Sequence, residues 1–250
     1  MQLSGAPSLL RGPRVADPAS LRLAAAKVLV VSGVLFYNWW VVVPFVPGLM
    51  PSINGFFSDL EATGRPHASL MSDADIAAGL LMIAALVLRG SRAQGAPRRE
   101  WKWMVAFAAA GAIGGRFPYA CSEGLSATCR QLEWHLQLPI HHYVHVVAGI
   151  AEFTTLTVAA FLAMRRTRSS GAPVARLYAT LVKALVVSYP LLGLVYLTDR
   201  LGTLVEPIFF VIFSTMVLAE VYESLGEPDR SGVHHSSTWA DRVMARESAV

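Results

Sequence analysis

His142, His145, Gly149 and Glu152 recur at intervals that put them within an arc of roughly 80° on one α-helix, at about 100° per residue, with His141 beside them. Imidazoles and a carboxylate on one helix face support three kinds of chemistry, and the spacing leaves all three open. His141 and His145 form the i,i+4 pair that metal sites use. With His67 or Asp75 from an earlier segment they could ligate a zinc-like ion, which would activate a water for hydrolysis. The Glu that follows the first His in zinc proteases is missing here. The same groups could instead bind a small polar or lipidic ligand, or relay protons. As a third reading, they hold helices together by hydrogen bonds of order 1 kcal/mol each. Glu206 stands near the start of a later apolar run and joins the candidates.

These residues need elements to position them, and the composition says which. The 250 residues are 54% hydrophobic and 15% charged, with a mean hydropathy of +0.47. Soluble domains carry roughly 25% charged residues. Disorder, a collagen-like repeat and a disulfide-dense scaffold are excluded on the same grounds, and an integral membrane protein remains. A hydrocarbon core of ~30 Å takes about 20 apolar residues of helix. Six runs qualify, at about 28–50, 75–88, 103–118, 140–164, 177–198 and 203–222, the second and third of them short. The expected fold is an all-α bundle of six transmembrane helices over residues 28–222, between a cytoplasmic segment 1–27 and a largely disordered cytoplasmic tail 223–250.

Of the basic residues, sixteen precede the first run, join the second to the third and the fourth to the fifth, or follow the sixth; Arg65, Arg116, Arg130 and Arg200 lie on the other side, and Lys183 lies inside the fifth run. Under the positive-inside rule this predicts both termini in the cytoplasm. The acids and histidines then gather at the extracytoplasmic side. Asp59, Glu61, His67, Ser72, Asp73 and Asp75 lie around the start of the second span, and Glu133, His135, His141, His142 and His145 lie before and within the fourth. Glu152 lies more than two turns into its span, so it must be neutral, paired or beside a wet cavity. The expectation is a polar pocket bounded by the outer ends of the second, fourth and sixth spans, with His67, Asp75, His141, His142, His145, Glu152 and Glu206 as its ligand-binding or metal residues.

Cys121 and Cys129 both fall in the extracytoplasmic loop between the third and fourth spans, where disulfides persist, and seven intervening residues can close a loop. A Cys121–Cys129 bridge is expected. Asn38 is expected to make an interhelical hydrogen bond, and Ala108, Gly111, Ala112 and Gly115 are spaced for close helix packing. The first 25 residues do not read as a cleaved secretory signal. His234 and His235 in the tail read as solvent-exposed. No nucleotide-binding or nucleophile-elbow motif occurs, and the arginines mark topology rather than a nucleic-acid surface.

Two segments carry a resemblance. SDLEATGRPHASLMSDADIAAG, residues 58–79, and the two outer-loop cysteines leading into LPIHHYVHVVAGIAEF, residues 138–153, resemble the bacterial membrane-protein family known as domain of unknown function 998. The matching positions are Gly64, Pro66, His67, Asp75, Gly79, His142 and His145, and the similarity spans residues 28–222. It implies a six-helix integral protein of the bacterial plasma membrane and supplies no reaction. Alkaline ceramidases and progestin/adipoQ receptors also set His, Asp and Ser around zinc, but with seven spans and a His pair in the last. The expected function is a multi-pass membrane protein that binds or moves a small polar or lipidic ligand; the alternative is an extracytoplasmic metal-dependent hydrolase acting on a lipid-like substrate, with zinc.

Overall fold

A computed structural model describes residues 18–50, 52–90, 92–93, 96–170, 174–198 and 200–223. Of the segments expected to be cytoplasmic, 1–27 and 223–250, residues 1–17 and 224–250, with His234 and His235, lie outside the described residues. The fold is all-helical apart from a two-residue antiparallel pairing of Arg92–Ala93 with Ala96–Pro97. Its helices are α1 (Pro18–Tyr37), α2 (Ala68–Arg89), α3 (Trp101–Arg116), α4 (Ala127–Trp134), α5 (Ile140–Ser170), α6 (Ala175–Thr198) and α7 (Gly202–Tyr222). Five of them, α1, α2, α5, α6 and α7, are long and apolar enough to cross a membrane. The outer faces of these five carry exposed Leu35, Leu80, Val147, Val187 and Leu204, surfaces that suit lipid rather than water.

Two departures from the expected spans have local causes. The first helix is displaced toward the N-terminus: α1 starts at Pro18 and ends at Tyr37, and Trp39–Phe45 continue as a 3₁₀ helix containing Pro44. Proline has no N–H for the α ladder and crowds the preceding turn. Arg22 and Lys27, expected to precede the first span, belong to the helix, and the Lys27 ammonium lies 5.6 Å from the Tyr222 ring centroid. The third expected span, α3, has 16 residues. At 1.5 Å per residue that is about 24 Å, short of a ~30 Å hydrocarbon core.

The helices α1, α2, α3, α5, α6 and α7 are neighbours in chain order, and α7 packs back on α1, so the six close a ring. Close approach of α2 to α3 depends on absent side chains. A Cβ on Gly79 would sit 2.5 Å from the Ala108 carbonyl oxygen, and one on Gly115 would sit 2.6 Å from that of Ser72. The expected small-residue face of α3 is thus a helix contact. Asn38 Nδ2 donates to Ser214 Oγ on α7 at 2.7 Å, the interhelical bond expected of it. Phe107, Phe209, Phe213, Met82 and Leu156 fill the centre of the ring.

The two ends of the ring differ. One carries the Cys121–Cys129 disulfide, which joins the stretch after α3 to α4; α4 starts where Ser126 Oγ accepts the Cys129 N–H at 3.2 Å. At the other end is a buried ionic cluster. Arg98 Nη1 lies 2.8 Å from Glu220 Oε1, and Arg166 reaches Glu100 at 2.5 Å and Glu223 at 2.6 Å. Tyr178 donates to Glu223 at 3.1 Å. The start of α3, the end of α5, the start of α6 and the end of α7 are joined there.

Candidate functional site

A cavity of about 350 Å³ opens within the disulfide half of the ring. Among the residues expected to form a site, Asp75, His145, Glu152 and Glu206 line it. His67 does not: it precedes α2 as an exposed residue with a left-handed backbone, φ 61°. His141 is half-buried and outside the lining, and His142 is fully buried behind it.

Each lining acid is held by a different element. On α2, Asp75 accepts the Trp39 indole N–H at 2.9 Å and hydrogen-bonds Glu61 of the 3₁₀ turn Ser58–Glu61. Two carboxyl groups bonded to each other must share a proton, and burial together with the Asp75 charge pushes Glu61 well above the usual carboxylate range. On α5, Glu152 accepts the Tyr37 hydroxyl at 2.9 Å and passes over Gly111, whose missing Cβ would lie 2.9 Å from Glu152 Oε1. On α7, Glu206 accepts the backbone N–H groups of Phe57 and Ser58. Thr203 Oγ1 donates to the Ser52 and Gly55 carbonyls at 2.6 and 2.7 Å. These bonds fasten the 52–61 loop across the start of α7 as one part of the cavity's rim.

The remaining rim comes from the disulfide-closed loop. Thr63 N–H donates to the Tyr119 carbonyl at 2.9 Å and ties the two loops together. Glu123 sits between the cysteines and hydrogen-bonds Glu133 of α4. Burial, the Glu133 hydrogen bond and the Glu133 charge push Glu123 up to about 9. Glu133 is held at about 2: burial works against this, and the nearby His142 ring together with hydrogen bonds from Glu123 and Tyr196 outweighs it. At neutral pH the pair therefore holds one proton, on Glu123.

The two central histidines are set by their ring nitrogens. His145 Nδ1 lies 3.0 Å from the Gly114 carbonyl oxygen and 3.1 Å from that of Phe117, at the C-terminal end of α3, where Gly114 also accepts the Phe117 N–H. Nδ1 must carry the proton, so Nε2 keeps its lone pair. In His142 the polarity is reversed. The Ala120 N–H donates to Nδ1 at 3.3 Å, so Nε2 carries the proton and faces Glu133 Oε2 at 3.6 Å. Tyr119 packs on both rings.

Among the described residues, one group of three His, Cys, Asp or Glu side chains brings its ligand atoms within 4.8 Å of one another: Glu123, Glu133 and His142. The set His67, Asp75, His142 and His145 is not such a group. The Nε2 proton of His142 also fits a donor to Glu133 better than a zinc ligand, since a metal there would require that proton to leave and the Ala120 bond to break.

Sequence reasoning named Asp59, Glu61 and Glu133 among the outer acids without selecting them, and it missed Tyr37, Glu123, Tyr196 and Arg130. Tyr196 donates to Glu133, and Arg130 Nη2 donates to the Tyr196 and Leu197 carbonyls at 3.1 and 2.8 Å. A usable signal for Glu123 was its position between two cysteines expected to pair. None existed for Tyr37, an aromatic residue in an apolar run.

Taken together, the site is a partly enclosed space with aromatic walls and carboxyl groups on α2, α5, α7 and the 3₁₀ turns Ser58–Glu61 and Glu123–Leu125. Neither a curated protein nor a solved structure matches the chain. A family model does, over residues 30–221, from within α1 to the end of α7 and across both rim loops. The chain belongs to the family described as "Protein of unknown function (DUF998)".

Proposed function

We propose that this multi-pass membrane protein binds or moves a small polar or lipidic ligand in the cavity lined by Asp75, His145, Glu152 and Glu206. The observation that carries the reading is the cavity itself. Its volume of about 350 Å³ falls within the ~300–1,000 Å³ of small-molecule sites. Acids at membrane depth are costly to maintain, and a wet space that receives a polar group gives them a use. Gly149 on α5 and Gly193 on α6 line the same space, and a Cβ at either would meet nothing within 4 Å.

The protein is placed, under this proposal, in a bacterial plasma membrane with six spans and both termini in the cytoplasm. Participation of α3 in the closed ring supports counting it as a span despite its length. The distribution of arginine supports the orientation, and it puts the disulfide end, with the cavity, outside.

Gly193→Trp tests the reading, because it fills the cavity from a position with room for a side chain. Native mass spectrometry of the protein released from membranes should detect a retained small molecule or lipid in the wild type. The same species should be lost from Gly193→Trp while its melting temperature stays within a few degrees. Equal retention by both proteins, or none by the wild type even after incubation with a total bacterial lipid extract, sinks the proposal.

A further inference from the structure

The polar inventory of the cavity is biased toward acceptors. Asp59, Glu61, Asp75, Glu123, Glu152 and Glu206 all line it. Fewer donors stand beside them, and several are engaged: the Tyr37 hydroxyl serves Glu152, that of Tyr196 serves Glu133, and Arg130 Nη2 serves two backbone carbonyls, while the Tyr119 and Tyr189 hydroxyls also line the space. A second, independent observation concerns His145, which lines the cavity and is only 8% exposed. Its Nδ1 proton is spent on Gly114 and Phe117, and its Nε2 lone pair has no hydrogen-bond partner among the described residues. A ligand carrying an N–H donor would give that lone pair the partner it lacks.

Geometry narrows the charge. Glu152 and Asp75 flank the same stretch of α3, Glu152 against Gly111 and Asp75 against Gly115. Those glycines are one turn apart, so both acids enter the cavity beside neighbouring turns of α3. A single ammonium group placed there can meet both, whereas an anion would face a lining in which carboxyl groups outnumber cationic side chains. The spacing does not suit a bare divalent ion: among the described residues the three side chains whose ligand atoms converge are Glu123, Glu133 and His142, and neither Glu133 nor His142 lines the cavity. Phe153, Phe209 and Phe213 supply the apolar wall and present ring faces and edges to one another within 4.7–6.1 Å. Aromatic walls favour an organic cation with a hydrocarbon body.

We infer that the ligand is a protonated primary or secondary amine with an apolar body, its ammonium held by Glu152 and the Glu61–Asp75 pair and donating to His145 Nε2. This rests on the reading of the cavity as a ligand site and adds the ligand's class. The shared chemistry covers both a soluble amphiphilic amine and the ethanolamine headgroup of a phospholipid.

The test uses the full chain in phosphatidylcholine nanodiscs, titrated with hexylamine, hexyltrimethylammonium, hexanol and hexanoate. Tryptophan fluorescence provides the readout, because Trp39 bonds Asp75 and Trp40 stacks on Phe210 at the cavity wall. Saturable binding of hexylamine at least tenfold tighter than the other three probes is expected. Glu152→Gln should weaken it at least tenfold, and Asp73→Asn, at an exposed position on α2, should leave it unchanged. The wild-type ranking of the four probes decides the matter even if a variant fails to fold. Hexanoate or hexanol binding as tightly as hexylamine overturns the ammonium and leaves the ligand site standing, as does hexyltrimethylammonium binding equally well for the N–H requirement. No saturable binding of any probe overturns the inference, while retention of a molecule by the wild type and not by Gly193→Trp would still uphold the ligand site. In the supported case, phosphatidylethanolamine in the nanodiscs identifies the source. A several-fold weaker apparent affinity for hexylamine assigns the lipid headgroup, and an unchanged one assigns a soluble amine.

Discussion

The Tyr37 hydroxyl donates to Glu152 Oε1 at 2.9 Å, joining the end of α1 to the middle of α5 across 115 residues of sequence. The bond does two things at once. It satisfies a carboxyl group that lies more than two turns inside α5, and it closes one side of the cavity. Removing the hydroxyl in Tyr37→Phe leaves a buried acceptor unserved, at a cost of about 1–3 kcal/mol. Glu152→Gln keeps an acceptor for Tyr37 and is expected to cost less. Thermal unfolding of the two single variants and the double variant in detergent should give a coupling energy near 1 kcal/mol. Additivity within about 0.3 kcal/mol would show that the two side chains do not interact.

Much of this half of the molecule could be read in the sequence, because polar groups in apolar runs are conspicuous. Asp75, His145, Glu152 and Glu206 drew attention for that reason, and they meet in one cavity. Their partners could not be read in the same way. Tyr37 looks like any interfacial aromatic until the ring closure brings α1 beside α7 and over Glu152. His67 stands next to α2 in the sequence, but neither its exposure nor its left-handed backbone can be seen in single-sequence spacing. The end of α1 is not legible from hydropathy, because apolar residues continue through Trp39–Phe45 while the backbone passes from α to 3₁₀ geometry after Tyr37.

The Glu123–Glu133 pair makes stability depend on pH in a defined sense. Glu123 titrates near 9 in the fold against an ordinary 4.5, so its contribution is complete below about pH 4.5 and is lost as pH rises toward 9. Glu133 titrates near 2, so its contribution is complete above about pH 4.5 and is lost as pH falls toward 2. The two limbs meet near pH 4.5. Melting temperatures from pH 5 to pH 9 should fall in the wild type and fall less steeply in Glu123→Gln, which cannot lose the proton. Parallel curves for the two proteins would remove Glu123 from the account.

At the opposite end, Arg98 and Arg166 were counted among the residues that set orientation, and the fold gives them a second task. Arg98 is 4% exposed and Glu220 is fully buried. Breaking a buried pair by removing one partner costs about 3–5 kcal/mol, because the other charge is left unmatched. Arg98→Ala is therefore expected to lower the melting temperature far more than Arg99→Ala, whose arginine is exposed next door. Arg98→Ala combined with Glu220→Gln should recover part of the loss. If Arg98→Ala and Arg99→Ala melt alike, the ion pair contributes nothing that packing does not already supply.

The helix contacts make the last prediction, and it separates two glycines that look alike in sequence. Gly79 touches α3 so closely that an added Cβ would lie 2.5 Å from the Ala108 carbonyl oxygen and 2.9 Å from the Ala112 nitrogen, both backbone atoms that cannot turn aside. Gly193 faces the cavity, with nothing within 4 Å of the same added atom. Alanine is the better helix former by about 1 kcal/mol at an interior position. Gly193→Ala is thus expected to hold or raise the melting temperature. Gly79→Ala must push α2 from α3, and overpacking of this kind costs about 1–3 kcal/mol. Because Asp75 lies one turn before Gly79 on α2, the displacement should also weaken retention of any ligand in the cavity. A Gly79→Ala protein as stable as the wild type would show that α2 and α3 are less closely packed than these distances require.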